Sequence, residues 1–318
     1  MAELDRGKPA ASAASPIPLA YVVAALPPLF WAGNFLIARL MRDDIPPIQM
    51  SFWRWVLALA ILLPFAWSSL RLDRSRLREE WAFLALLGAI GVTAFNCFIY
   101  TALHHTTVIN AALVNSLLPV ATILLARLLL GERIVPLRAL GIAVSLMGAV
   151  LVIARGDLFA LGNLMVGRGD ILVVLGMSFW ALYTVLVRRR PLGLKPLSLL
   201  GATTAFGIVF HLPFVLIEAT QSRIFVPTLN SLPALVYFAV FPSILAYIFW
   251  NRSIATLGPA TTGMFMHLMP IFSAILAAAF LGERLAWYHP VAFVVIVGGI
   301  LLATRRPPST PHPSHQKR

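Results

Sequence analysis

Between Pro119 and Arg133 the chain reads PVATILLARLLLGER, and between Pro270 and Arg284 it reads PIFSAILAAAFLGER. Each stretch runs from a proline through apolar residues to Gly-Glu-Arg, and the second lies 151 residues after the first. The match extends outward. Phe30-Trp31-Ala32 returns as Phe179-Trp180-Ala181, 149 residues on, and Gly148 falls on Gly299. A chain that repeats itself at half its length is built from two copies of one structural unit.

Composition names the medium. Of 318 residues, 59% are hydrophobic and 12% charged, where a soluble domain carries about 25% charged residues. Mean hydropathy is +0.86. So little charge cannot cover a water-facing surface, which rules out a soluble enzyme, and so much apolar surface rules out disorder. The chain is an integral membrane protein. Its net charge of +13 would suggest nucleic acid in a soluble protein, but here the basic residues sit between apolar runs, where they set orientation. Cys97 is the single cysteine, so there is neither a disulfide framework nor a zinc site, and no cofactor motif is present.

A bilayer-spanning helix needs roughly 20 apolar residues. Ten stretches qualify: 18–40, 47–69, 80–104, 107–130, 136–154, 169–187, 196–218, 231–251, 258–281 and 286–304. The expected organisation is a polar leader at 1–17, a first five-helix repeat at 18–154 and a connecting outer loop at 155–168. A second five-helix repeat at 169–304 and a disordered tail at 305–318 complete it. Five is odd, so the second copy enters the membrane from the opposite side. The fold class is all-α integral membrane, with ten transmembrane helices built from two inverted five-helix repeats, an architecture that gives a carrier two mirror-related states. With the N-terminus inside, the inner segments hold seventeen Lys and Arg and the outer loops six, with Arg54 and Arg127 inside helices. Both termini are therefore expected to be cytoplasmic.

Helix-weakening residues follow the same symmetry. Pro64 maps onto Pro213, Pro119 onto Pro270, Pro27 onto Gly176 and Gly91 onto Pro242. Proline removes a backbone donor and glycine loosens a helix, so the four pairs are candidate hinges.

Two five-helix repeats, each with an apolar helix closing on Leu-Gly-Glu-Arg, resemble the drug/metabolite transporter superfamily. Within it the chain is similar to the EamA family of ten-helix exporters, with the YddG-type exporters of aromatic and other neutral amino acids as the nearest branch. The resemblance covers most of 18–304. It implies a central cavity lined by helices 1, 3, 4, 6, 8 and 9, mobile helices 2 and 7, scaffold helices 5 and 10, and residence in a bacterial inner membrane.

All twelve acidic residues lie in loops, tails or helix ends. An antiporter of cationic drugs needs a mid-membrane carboxylate, so that function is disfavoured. Arg54, in Phe52-Trp53-Arg54-Trp55, is the main intramembrane charge. Placing arginine at a helix centre costs about 2.5–3.5 kcal/mol. It either contacts a substrate carboxylate or a gate carbonyl, or snorkels to the outer interface. Polar and aromatic residues at helical spacing supply the candidate substrate site: Trp31 and Asn34 on helix 1, Asn96 and Tyr100 on helix 3, and Asn115 on helix 4. The second half adds Trp180 and Tyr183 on helix 6, Tyr247 on helix 8 and His267 on helix 9. Each could instead serve an interhelical hydrogen bond worth about 0.6 kcal/mol.

This inventory suits a zwitterionic amino acid, with its carboxylate on arginine or amides and its ammonium on aromatic faces and freed carbonyls. The expected function is a secondary carrier exporting small metabolites, neutral or aromatic amino acids first, by alternating access. Another metabolite or a drug is the alternative substrate. A membrane enzyme or passive channel ranks lower: no nucleophile–base or metal motif is present, nor a Gly-x-x-x-x-Gly-Lys-Ser/Thr loop for ATP. The expected partners are the small-molecule substrate and the lipid bilayer, and no nucleic acid.

Overall fold

The structure, a computed structural model, describes residues 17–41, 44–102, 105, 114–163, 167–282 and 284–304. The leader up to residue 16 and the expected disordered tail at 305–318 lie outside the described residues. So do His104, residues 106–113 at the start of the fourth expected helix, and Glu283 of the second Gly-Glu-Arg.

Among the described residues all regular structure is helical. In the first half α1 is Ile17–Leu40, α2 Pro47–Leu72, α3 Trp81–Ala102, α4 Leu118–Leu130 and α5 Pro136–Ile153. In the second half α6 is Arg168–Arg189, α7 Pro196–Gln221, α8 Leu232–Leu257, α9 Pro259–Phe280 and α10 Tyr288–Thr304. Eight are long and apolar enough to cross a bilayer, and α4 and α10 are shorter apolar helices. Short helices at Arg74–Glu79 and Leu158–Asn163 lie in the connections. Helix α8 runs six residues beyond its expected end at 251. Ten crossings return the chain to the face from which α1 starts; that face is called the terminal face below.

The repeated Gly-Glu-Arg has a physical cause. Gly131 and Gly282 both adopt φ 68°, the left-handed conformation that closes a helix. A side chain there would be strained, so glycine ends α4 and α9 alike.

Helices α5 and α10 lie back to back. A Cβ on Gly299 would sit 2.5 Å from the Ser145 backbone nitrogen and 2.6 Å from the Gly141 carbonyl oxygen. Lipid offers helices no hydrophobic drive to associate, so small residues that let backbones touch supply the attraction.

Two helices depart from the α pattern at matching places. The α3 backbone becomes π-helical over Ala89–Ala94, and the α8 backbone over Ala239–Leu245. Gly91 and Pro242, paired by the repeat, lie inside these segments. Helix α9 tightens to a 3-10 turn at Phe265–Leu268. Pro119 and Pro270 fall in the first turn of helical segments, where the absent N–H costs nothing. Pro119 opens α4, whereas Pro270 lies inside the continuous run of α9, just after its 3-10 turn. Pro64 and Pro213 lie within α2 and α7 and are exposed on the outside of the bundle. Pro27 is buried in α1, and Gly176 is buried in α6.

Helices α2 and α7 run antiparallel, and each is capped by a carboxylate from the other's end. Glu218 accepts the N–H groups of Ile48 and Gln49 at 3.0 and 2.8 Å, at the start of α2. Asp73 accepts the N–H of Lys195 at 2.9 Å, just before α7. Negative charge at a helix N-terminus meets unpaired donors and the positive end of the dipole. Burial opposes ionisation of Asp73, but the Lys195 N–H and the charges of Lys195 and Arg76 outweigh it and hold the carboxyl below its usual range.

Two tests follow from this packing. Gly299→Val should lower the melting temperature of the purified protein, since overpacking costs about 1–3 kcal/mol. Gly298→Val should not, because a Cβ at Gly298 meets nothing within 4 Å. A carboxyl with a lowered folded pKa stabilises above its unfolded value and loses that contribution as pH falls through the folded one. The melting difference between the wild type and Asp73→Asn should therefore be present at neutral pH and shrink steadily as the pH is lowered below about 3.9.

Candidate functional site

Where the repeats face each other, aromatic rings fill the middle of the bundle. Trp180 of α6 is the hub. Its ring centroid lies 5.3 Å from Trp31, 5.0 Å from Phe95 and 5.2 Å from Tyr183. Tyr247 and Trp250 of α8 lie 5.1 and 5.6 Å away. Trp31 and Trp180 are repeat-related, so one pair of equivalent residues meets at the interface between the copies.

The polar ends of these rings take up backbone groups at the π segments. Tyr247 donates its hydroxyl to the Gly91 carbonyl at 2.6 Å, and Trp31 donates its indole N–H to the Pro242 carbonyl at 3.0 Å. Each bond runs from one repeat to the other. Tyr183 donates to Asn251 at 3.1 Å and Trp250 to Thr184 at 3.1 Å. π-helical turns recur at functional sites because they present carbonyls that an α-helix would use itself.

On the side of this layer away from the terminal face lies Arg54, only 3% exposed. It does not snorkel. Its Nη1 donates to Asn34 Oδ1 at 3.3 Å and to the Tyr100 hydroxyl at 3.1 Å, and its Nη2 donates to Asn96 Oδ1 at 2.8 Å. Asn96 is fixed by its own amide donating to the Val92 carbonyl at 2.6 Å. The guanidinium sits 5.1 Å from the Trp55 ring. Among the described residues no carboxylate pairs with it. Three polar atoms on this face of α2, Ser51 Oγ, Arg54 Nε and Trp55 Nε1, are buried without a hydrogen-bond partner. They stand at i, i+3 and i+4, so one helical face presents them all.

The expected residues thus separate into groups. Trp31, Trp180, Tyr183 and Tyr247 form the aromatic layer. Asn34, Asn96 and Tyr100 gather on Arg54. Asn115 donates to the Met269 sulfur at 3.7 Å. His267 stands apart, fully buried. Its Nε2 lies 2.9 Å from the Ser116 carbonyl, which can only accept, so Nε2 carries the proton. Nδ1 lies 2.7 Å from the Ser145 hydroxyl, which is also within reach of the Ile142 carbonyl at 3.1 Å. Ser116 is the repeat equivalent of His267, so this bond also joins matching positions. Arg127 is exposed, as snorkelling requires. His211, fully buried on α7, lies 3.7 Å from the Cys97 sulfur. Trp55 and Trp250 complete the aromatic layer and are missing from the sequence-derived site. Their signal was ambiguous: Trp55 reads as an interfacial aromatic, and Trp250 has an isoleucine, Ile99, at its repeat-related position.

Two inverted halves meeting at an aromatic and cationic centre define a multi-pass membrane transporter. A model of the EamA-like transporter family matches the chain twice, at residues 18–154 and 167–305, and the chain belongs to that family. It is 29% identical over 276 residues to the uncharacterized transporter YyaM of Bacillus subtilis, covering 87% of this chain and 90% of that one. It is 27% identical to a probable terminal-alkyne amino-acid exporter of Streptantibioticus cattleyicolor, with the same coverage. It is 26% identical to the uncharacterized inner membrane transporter YedA of Escherichia coli, over 87% of each chain. A solved crystal structure with 20% sequence identity superposes over 90% of this chain and 96% of its own with a TM-score of 0.73, which shows the shared fold.

Proposed function

We propose that this transporter exports neutral or aromatic amino acids across a bacterial inner membrane by alternating access, with both termini in the cytoplasm. The observation that carries this reading is Arg54. Among the described residues it is a buried cation with no carboxylate partner and an unpaired Nε, flanked by two more unpaired polar atoms. A buried unpaired donor is costly and calls for an explanation. A substrate carboxylate would answer it, because arginine offers a planar fork of donors that matches two carboxylate oxygens.

The neighbouring layer suits the rest of the molecule. The faces of Trp31, Trp180 and Tyr247 attract an ammonium group, and their edges accommodate an apolar side chain. The carbonyls of Gly91 and Pro242 are held by side-chain donors, so exchanging those donors for an ammonium costs no backbone rearrangement. A phosphorylated sugar would demand several cations at the same place, and among the described residues this centre holds Arg54 alone. The relationship to a probable amino-acid exporter supports the same substrate class, and the excess of Lys and Arg at the terminal face supports the orientation.

Reconstituted protein should show saturable uptake and counterflow of labelled phenylalanine. In Arg54→Gln the apparent affinity should fall about 10- to 100-fold, since a charged hydrogen bond contributes about 1.5–3 kcal/mol. The variant should still fold, as judged by its melting curve. Competition by phenethylamine, which lacks the carboxylate, should be unaffected by the change. Absence of phenylalanine counterflow in folded wild-type protein would reject the amino-acid reading and favour another metabolite.

A further inference from the structure

At the terminal face, away from Arg54, the ends of five transmembrane segments surround a cavity of about 320 Å³. That volume is at the lower end of the range for small-molecule pockets. Its walls include Arg133 and Arg138 around the start of α5, Arg188 at the end of α6, Thr256 at the end of α8, and Thr261 on α9. Glu132 is the one acidic residue in the lining, so three cations face one anion. Among the described residues none of the three arginines forms an ion pair. Arg188 is aimed by donating to the Ala255 carbonyl at 3.1 Å. The Arg138 Nε is buried with no acceptor.

The cavity lies on the terminal-face side of the aromatic layer. Arg188 follows Trp180 by eight residues on α6, and Thr256 follows Trp250 by six on α8, which places it about 9–12 Å along the helix axes from those rings. The aromatic layer is thus flanked by cationic groups on both sides: Arg54 on one, the three arginines on the other.

We propose that this cavity is an anion-docking vestibule on the transport route, in which the carboxylate of a solute first meets the protein before passing to Arg54. It rests on the transporter reading above and adds a second cationic station to it. A membrane-facing pocket could hold a lipid headgroup by the same chemistry. The lining argues for a solute, because α4, α6, α8 and α9 are helices that also build the centre of the bundle. A cluster of cations in a recess concentrates anions about tenfold or more, and screening by salt removes the effect.

The test reads local potential without requiring transport. Cys97 is replaced by Ser, Thr256→Cys is introduced in the vestibule wall, and modification rates are measured with an anionic and a cationic methanethiosulfonate reagent. Relative to a small free thiol, the anionic reagent should be favoured about tenfold at low salt. That preference should collapse in Arg138→Gln/Arg188→Gln and return in Arg138→Lys/Arg188→Lys, which keeps the charge. Benzoate, a carboxylate without an ammonium group, should slow the modification. Equal rates for the two reagents, no modification by either, or a preference that survives the double Gln change would overturn the proposal. In nanodiscs, slowing by phosphatidylglycerol but not by benzoate would assign the arginines to lipid and overturn it too. Benzoate protection alongside absent phenylalanine counterflow would strike the amino-acid reading and leave the vestibule standing.

Discussion

Inside a bilayer no water is available to take up a backbone carbonyl, so every departure from helical hydrogen bonding must be answered by another part of the protein. This chain departs from the α pattern at Ala89–Ala94 and at Ala239–Leu245. In both segments part of the answer comes from the opposite repeat, Tyr247 to Gly91 and Trp31 to Pro242. The two halves are therefore joined through the places where each is least regular. The aromatic rings that make these bonds also close the middle of the bundle. Packing and backbone satisfaction depend on the same few residues.

Electrostatics is handled by the same economy. Arg54 is dissolved in neutral oxygens from α1 and α3 rather than paired with an acid. Neutral acceptors make its burial tolerable and keep its charge uncompensated. Among the described residues, the half-buried Glu218 serves the start of α2 and the buried Asp170 the start of α6. Acids fix helix positions at the membrane faces, while the interior cation is held among neutral groups.

His267 shows how one residue type can carry two readings. In sequence it was a candidate for substrate contact. In the structure both ring nitrogens are used, one toward α4 and one toward α5. It ties the 3-10 turn of α9 to the pair α5 and α10, whose backbones touch through glycine.

The sequence by itself determined the medium, the number of membrane crossings and the inverted duplication. Those are one-dimensional properties: run length, charge spacing and repeat offset survive without knowing what touches what. It also located most of the central residues, because polar and aromatic groups on an apolar helix must face inward. Which of them meet was decided only by the tertiary structure. Asn34, Asn96, Tyr100 and Arg54 come from three helices, and no spacing within one helix reveals that they share a centre. Trp55 and Trp250 join the centre only because the folded chain buries them beside Tyr247 and Trp180. Helix rotation about its axis and the depth of each residue relative to its neighbours are set by packing between helices, and that packing is a property of pairs, which a single chain read in order does not contain.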